Sequence, residues 1–189
     1  MTSNTQVAPH ASAHQRESAL ILARPVRLLL LDVDGVLSDG RISYGSDGME
    51  IKSFHTQDGF GLRLLRQSGI TAGIITGRSS EAVRRRAAEL KLNHLYENAK
   101  NKLTLFEDVL RQERLTPEQC AYMGDDWMDL PLLRRVGLAV APANAVPEVK
   151  QRVHFVTERK GGEGAVREVC DLLLEAQGLH NQLLLQFDR

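Results

Sequence analysis

Two carboxylates one residue apart, Asp32 and Asp34, interrupt the run Leu28-Leu-Leu-Leu-Asp-Val-Asp-Gly-Val-Leu37. An apolar stretch bounded by charge and glycine predicts a strand buried on both faces, as in a parallel sheet, and ligands of such sheets gather at the strands' carboxyl ends. Successive strand side chains point to opposite faces, but where the strand breaks into a loop the second carboxylate swings back toward the first. One can then act as nucleophile while the other, in a different environment, gives and takes a proton. Taken alone, Asp34-Gly35 also fits a plain turn and Asp32 a strand-end cap.

Other groups suit the same chemistry. The segment Gly73-Ile-Ile-Thr-Gly-Arg78 ends a second strand with a hydroxyl, a flexible glycine and a guanidinium. Thr76 can donate to a phosphoryl oxygen, the Gly77 amide can approach closely, Arg78 adds charge, and the next helix offers its positive N-terminus. An ordinary strand-to-helix turn capped by Ser79 would look similar. A third strand end, Tyr122-Met-Gly-Asp-Asp-Trp-Met-Asp-Leu130, clusters Asp125, Asp126 and Asp129. So many oxygen ligands opposite Asp32 and Asp34 favour a hard cation such as Mg²⁺, because that much like charge is costly without one. Helix capping by Asp125 or Asp126, with Asp129 solvated, is the alternative. Lys102 can counter the charge of the nucleophile and the phosphoryl group, with Lys100 as its competitor.

These groups need a scaffold, and the chain reads as alternating strands and helices. Arg41–Tyr44 and Met49–Phe54, around Gly45-Ser-Asp-Gly48, predict a β-hairpin inserted after the first strand. Beyond it come a helix over 59–67, a strand over 71–76, a helix over 79–90, a strand over 94–96 and a helix over 101–111. A strand over 120–123, a helix over 128–135, a strand over 138–140, a short helix from Pro147, a strand over 154–156 and an amphipathic helix beyond Gly161-Gly-Glu-Gly164 complete the pattern. Such alternation predicts an α/β fold with a doubly wound, mostly parallel sheet. Residues 24–178 form one domain, with the hairpin insertion near 40–55 and a glycine-rich tail and last helix over 160–178. A flexible tail, 1–23, precedes it and an extension, 179–189, follows.

With 189 residues, 42% of them hydrophobic, the chain can bury one good core. Lysine plus arginine equals aspartate plus glutamate, 24 each, so no basic field recruits nucleic acid or an acidic membrane, and a small molecule is the expected partner. No run is long enough to span a bilayer and no signal peptide is recognisable. Cys120 and Cys170 have neither a metal nor a redox spacing and read as buried thiols of a reducing compartment, the cytoplasm. His10 and His14 read as solvated.

In chain order, the Asp-x-Asp strand end, the Thr-Gly turn, the lysine and the Gly-Asp-Asp cluster resemble the haloacid dehalogenase-like phosphatase superfamily. Within it, Leu31-Asp-Val-Asp-Gly-Val-Leu-Ser-Asp-Gly40, the hairpin, Asp58-Gly59, Gly124-Asp-Asp-Trp-Met-Asp129 and Gly161-Gly-Glu-Gly-Ala-Val-Arg-Glu168 are similar to the 3-deoxy-D-manno-octulosonate 8-phosphate phosphatase family, over residues 26–178. The resemblance implies a Rossmann-like domain without a large cap, hydrolysing a phosphorylated sugar acid through an aspartyl phosphate in lipopolysaccharide precursor synthesis. By position it implies Asp32 as nucleophile, Asp34 as general acid/base, and Mg²⁺ on Asp32, Asp125 and the backbone carbonyl of Asp34. Thr76 and Lys102 would orient the phosphoryl group, and Asp126 and Asp129 would hold the metal end in place. It also implies a homotetramer whose hairpins form a central barrel, with the glycine-rich tail reaching a neighbour's site. Gln57, Asn98 and Trp127 depart from the family pattern; Asn98 tolerates a left-handed backbone, and Trp127 is expected to pack beside the metal loop. Phosphatases of nine-carbon ulosonates, and a silent oligomerisation module, share parts of this pattern. A receiver domain shares the aspartate and lysine but does not need Asp34.

Overall fold

The structure, a computed structural model, describes residues 9–188 and the side chains of residues 14–188. Strand β1 (Leu28–Leu31) leads through hairpin strands β2 (Ser43–Tyr44) and β3 (Glu50–Ile51) to helix α2 (Thr56–Gln67), which follows an N-terminal helix α1 (Pro9–Ala23) in the numbering. Then come β4 (Thr71–Ile75), α3 (Glu81–Leu90), β5 (His94–Tyr96), α4 (Lys102–Glu113), β6 (Cys120–Met123), α5 (Leu130–Leu133) and β7 (Leu138–Ala141). The chain ends with α6 (Pro147–Lys150), β8 (Phe155–Val156), α7 (Ala165–Ala176) and α8 (His180–Phe187).

The main sheet has the order β5-β4-β1-β6-β7-β8, every pair parallel, while β2 and β3 form a separate antiparallel pair. The chain moves outward from β1 to β4 and β5, then crosses back to place β6 on the other side of β1. That reversal opens a crevice beyond the carboxyl ends of β1 and β6, where ligands of doubly wound sheets bind.

Alternation along β1 divides the core. Leu29 and Leu31 join Ile74, Met123 and Val140 on the face covered by α1, α2, α3 and α7. Leu28 and Leu30 join Tyr122, Phe106, Val109 and Leu132 on the face covered by α4 and α5. All four leucines are fully buried, each contributing about 1.5–3 kcal/mol relative to exposure.

Three elements differ from the sequence expectation. Residues 1–8 of the expected flexible tail lie outside the described residues, as does the His10 side chain, but Pro9–Ala23 is helical. Ala19 and Ala23, four residues apart, are fully buried in the core cluster containing α7, and Arg16 pairs with Glu175 of α7. The polar composition of this helix conceals its small apolar seam. The helix expected over 128–135 is instead a 3-10 turn, Trp127–Asp129, followed by the short α5, with a proline near its start. The expected C-terminal extension contains α8, whose Phe187 ring packs edge-on against Phe60 of α2 at 5.5 Å.

Candidate active site

Each strand end contributes one kind of group. Asp32 directly follows β1, where its backbone N–H donates to the Met123 carbonyl of β6 at 3.0 Å. The Val33 N–H donates to Asp32 Oδ1 at 2.7 Å, and Lys102 Nζ lies 2.7 Å from Oδ2. Lys102 is the first residue of α4, a helix capped by Asn101, whose side chain accepts from the Leu103 and Thr104 N–H groups. The same Nζ lies 2.7 Å from Asp129 Oδ1 and donates to the Tyr122 hydroxyl at 3.2 Å. Tyr122 in turn donates to Asp129 Oδ1 at 2.6 Å. Asp129 Oδ2 accepts the backbone N–H groups of Asp125 at 2.9 Å and Asp126 at 3.3 Å. Asp129 thus couples the lysine to the loop carrying Asp125, and its surroundings are fully buried rather than solvated.

Two glycines make this proximity possible. Gly35, with φ +85°, lies where a Cβ would meet Asp125 Oδ2 at 2.1 Å. A Cβ on Gly124 would meet Asp129 Cγ at 2.3 Å. Neither position accepts a side chain without displacing a carboxylate.

Burial and mutual repulsion crowd these carboxylates. Burial, then the Asp129 charge, raises Asp32 to about 6 despite Lys102. Burial, then Asp129, Asp32 and Asp126, raises Asp125 to about 7. Burial opposes the charge on Lys102, but Asp129 and Asp32 outweigh it and raise its pKa. Carboxylate oxygens of Asp32, Asp125 and Asp129 all lie within 4.8 Å of one another. Asp129 is already committed on both oxygens, whereas no side chain donates to the Asp125 carboxylate among the described residues. An oxygen-only donor set with one unpaired, like-charge-crowded carboxylate fits a hard divalent cation.

Asp34 meets a different environment. Its Oδ1 pairs with Lys52 of the hairpin and accepts from Ser38 Oγ at 3.4 Å, while Oδ2 lies 3.7 Å from Arg78 Nε. Arg78 also pairs with Glu50 at 2.7 Å, and Lys52 lies 3.4 Å from the other Glu50 oxygen. Nothing in the sequence singles out Lys52, Glu50 or Tyr122 as site residues. Alternation in Met49-Glu-Ile-Lys52 signals one charged hairpin face, but only the tertiary fold tells which way it turns.

Asp32, Asp34, Thr76, Gly77, Arg78, Lys102, Asp125 and Asp126 therefore line one cleft of about 330 Å³, together with Gly40 and Met128. Thr76 is buried just beyond β4. The cap of α3 is Ser80 rather than Ser79, and the Ser80 N–H donates to Glu97 Oε1 at 2.7 Å. Asp126 caps the 3-10 turn by accepting the Trp127 N–H at 2.7 Å. Trp127, expected to pack beside the loop, is exposed instead. Asn98 adopts φ +53°, and Gln57 accepts from Arg159 at 2.7 Å. The glycine-rich segment packs on the loop that follows Asp34: Gly161 N–H donates to Asn144 at 2.6 Å and Gly162 N–H to Val36 O at 3.1 Å. A Cβ on Gly161 would come within 1.8 Å of the Gly35 carbonyl, so glycine alone permits this approach.

The haloacid dehalogenase-like hydrolase family matches residues 92–169. The chain is 49% identical over 170 residues to 3-deoxy-D-manno-octulosonate 8-phosphate phosphatase KdsC of Escherichia coli strain K12, covering 89% of this chain and 90% of that relative. A crystal structure of 3-deoxy-D-manno-octulosonate 8-phosphate phosphatase from Yersinia pestis superposes with a TM-score of 0.86 at 45% identity, covering 87% of this chain and 89% of that one. The same enzyme from Moraxella catarrhalis, in complex with magnesium ion, phosphate ion and KDO, gives a TM-score of 0.87 at 41% identity, covering 89% and 97%. With its parallel sheet and carboxylate-lined crevice, the chain belongs to the 3-deoxy-D-manno-octulosonate 8-phosphate phosphatase family of haloacid dehalogenase-like hydrolases.

Proposed function

We propose that this chain is a Mg²⁺-dependent phosphatase that hydrolyses 3-deoxy-D-manno-octulosonate 8-phosphate to the free sugar acid and phosphate, in lipopolysaccharide precursor synthesis. The observation carrying this reading is the pairing of Asp32 with buried Lys102 beside a second, differently held carboxylate, Asp34, in a chain about half identical to such enzymes.

Asp32 is the nucleophile. Its carboxylate oxygen forms a bond to phosphorus as the phosphorus–oxygen bond to the sugar breaks, and Asp34 gives its proton to the departing oxygen. Asp34 then takes a proton from water, whose oxygen attacks the aspartyl phosphate and releases phosphate and Asp32. Lys102 neutralises the phosphoryl oxygens and fixes Asp32 Oδ2. Thr76 and the Gly77 amide orient the phosphoryl group, with Arg78 at the substrate end. Asp32, the Asp34 carbonyl and Asp125 would hold the metal, while Asp126 and Asp129 brace its loop. Bound there, Mg²⁺ offsets the negative charge of the carboxylates and phosphoryl group.

The hairpin supports a homotetramer. Met49 and Ile51, exposed by 66% and 52%, form an apolar patch on the hairpin face turned away from Glu50 and Lys52, on a two-stranded sheet too small to stand alone. Sedimentation equilibrium at micromolar concentration should give the mass of four chains; a monomer would reject this assembly. No described helix is long and apolar enough to cross a membrane. The two buried free thiols and the phosphorylated substrate support a cytoplasmic location.

Phosphate release from 3-deoxy-D-manno-octulosonate 8-phosphate, beside nine-carbon ulosonate and simple sugar phosphates, tests the activity. The octulosonate should be hydrolysed best, with Mg²⁺ and not with chelator. Better turnover of another phosphate would reassign the substrate, and no turnover of any would leave a silent oligomerisation module.

A further inference from the structure

The hairpin sends one of its side chains into the centre of the chemistry. Lys52 follows β3, and strand alternation puts it on the same face as Glu50, opposite Met49 and Ile51. Its side chain is 1% exposed although it belongs to an insertion of two short strands. Burying an ammonium is costly unless partners compensate it. Here the partners are Asp34 Oδ1 and, at 3.4 Å, Glu50 Oε1.

This contact orients Asp34. Lys52 and Ser38 share Oδ1, while among the described residues Oδ2 meets only the longer approach of Arg78 Nε at 3.7 Å. One oxygen is therefore pinned toward the hairpin, and the other has the looser contact, to Arg78, which lines the cleft. Glu50 closes the ring, joining Lys52 to Arg78, so the two cations and two carboxylates hold one another in place. Because a carboxyl must reach the departing oxygen within hydrogen-bond distance to protonate it, fixing its rotamer bears directly on rate.

We propose that Lys52 is a positioning residue for Asp34, holding Oδ1 so that Oδ2 is presented to the leaving group; this rests on the reading of Asp34 as general acid. The hairpin is thereby part of the proton-transfer apparatus although its strands do not line the cleft. The role belongs to the hydrogen bond from the Lys52 ammonium, which Oδ1 accepts whether or not Oδ2 carries the proton, since an apolar side chain of similar length fills the same space without holding Oδ1.

The test uses a series of aryl phosphates of graded leaving-group acidity, from phenyl to p-nitrophenyl phosphate, none of which carries sugar groups that Lys52 could contact. The ratio of kcat/KM between two members is independent of the fraction of enzyme that is folded, so Lys52→Met is informative even where it destabilises the protein. Asp34→Asn is the reference: the dependence of kcat/KM on leaving-group acidity should steepen, because poor leaving groups lose their proton donor. Lys52→Met should steepen it in the same sense, losing about 10-fold or more with phenyl phosphate and little with p-nitrophenyl phosphate, and Lys52→Arg should restore part of the loss. A parallel decrease across the series in Lys52→Met, or no decrease, would overturn the role of Lys52 while Asp34→Asn still steepened. A parallel series in Asp34→Asn would overturn the general acid itself and the Lys52 proposal with it.

Discussion

Strand β1 and the hairpin place their charges in opposite ways. Both faces of β1 are apolar and buried, and carboxylates occur only where the strand ends. In the hairpin, charged Glu50 and Lys52 face the protein while Met49 and Ile51 face outward. A sheet interior excludes charge, so the parallel strands deliver functional groups solely at their ends. The hairpin has no such interior, so one face braces Asp34 and Arg78 through Lys52 and Glu50 while the other stays exposed.

The largest expected effect removes a group at the end of β1. Asp32→Asn should lower kcat by at least about 10⁴-fold with the fold retained, the scale expected when a covalent nucleophile is lost. Circular dichroism and steady-state phosphate release check both parts. Substantial activity in a folded variant would mean that the strand end supplies charge but not the nucleophile.

Next, Lys102→Met should destabilise the metal-free protein by about 3–5 kcal/mol, because it leaves Asp32 and Asp129 in a buried site without their counter-charge. Chemical denaturation in chelator measures this. A loss within about 0.5 kcal/mol, the surface-substitution range, would show that the buried triad is not held by this lysine.

Asp125→Asn should have the opposite sign. The wild-type carboxyl is raised from 3.8 to about 7, so the folded chain binds its proton more tightly than the unfolded chain does. The resulting penalty is absent below the unfolded value, grows as pH rises, and is complete above the folded value. In chelator, Asp125→Asn should therefore match wild type near pH 4 and become more stable toward pH 8, by about 1 kcal/mol or more after allowance for solvent screening, roughly 2–4 °C in Tm per kcal/mol. Adding Mg²⁺ at pH 8 should raise the wild-type Tm more than that of the variant. A pH-independent difference would remove the electrostatic account of the metal end.

The smallest effect on the fold belongs to the outer hairpin face. Ile51→Ser should change the stability of the isolated chain by no more than about 0.5 kcal/mol yet shift the assembly toward smaller species in sedimentation. Unchanged assembly would separate the exposed apolar face from oligomerisation.

The same contrast explains what the sequence could convey. The parallel sheet was legible because runs such as Leu28–Leu31 and Cys120–Met123 are buried wherever they pair, and their ends coincide with Asp32 and the Gly-Asp-Asp cluster. Lys52 was not legible, because alternation in the hairpin reveals two unlike faces without saying which one meets Asp34. Tyr122 reads as a core aromatic, and its hydroxyl gains a role only when Lys102 and Asp129 arrive from other elements. Helix α1 was hidden for a related reason: Ala19 and Ala23 form too faint a stripe among polar residues to announce that α7 will cover them. At the α3 terminus the carboxylate of Glu97 comes from beyond β5, a non-local contact that no strand-to-helix motif contains.

The proposed hydrolysis turns on a covalent bond to Asp32. Wild-type enzyme mixed with 3-deoxy-D-manno-octulosonate 8-phosphate and Mg²⁺, quenched in acid within the first turnover and reduced with borohydride, should yield homoserine at position 32 in peptide mass spectrometry, because borohydride reduces an acyl phosphate but not a free carboxylate. The modification should disappear once substrate is exhausted. Rapid turnover with no reduction product, or with the product at another carboxylate, would contradict Asp32 as the nucleophile.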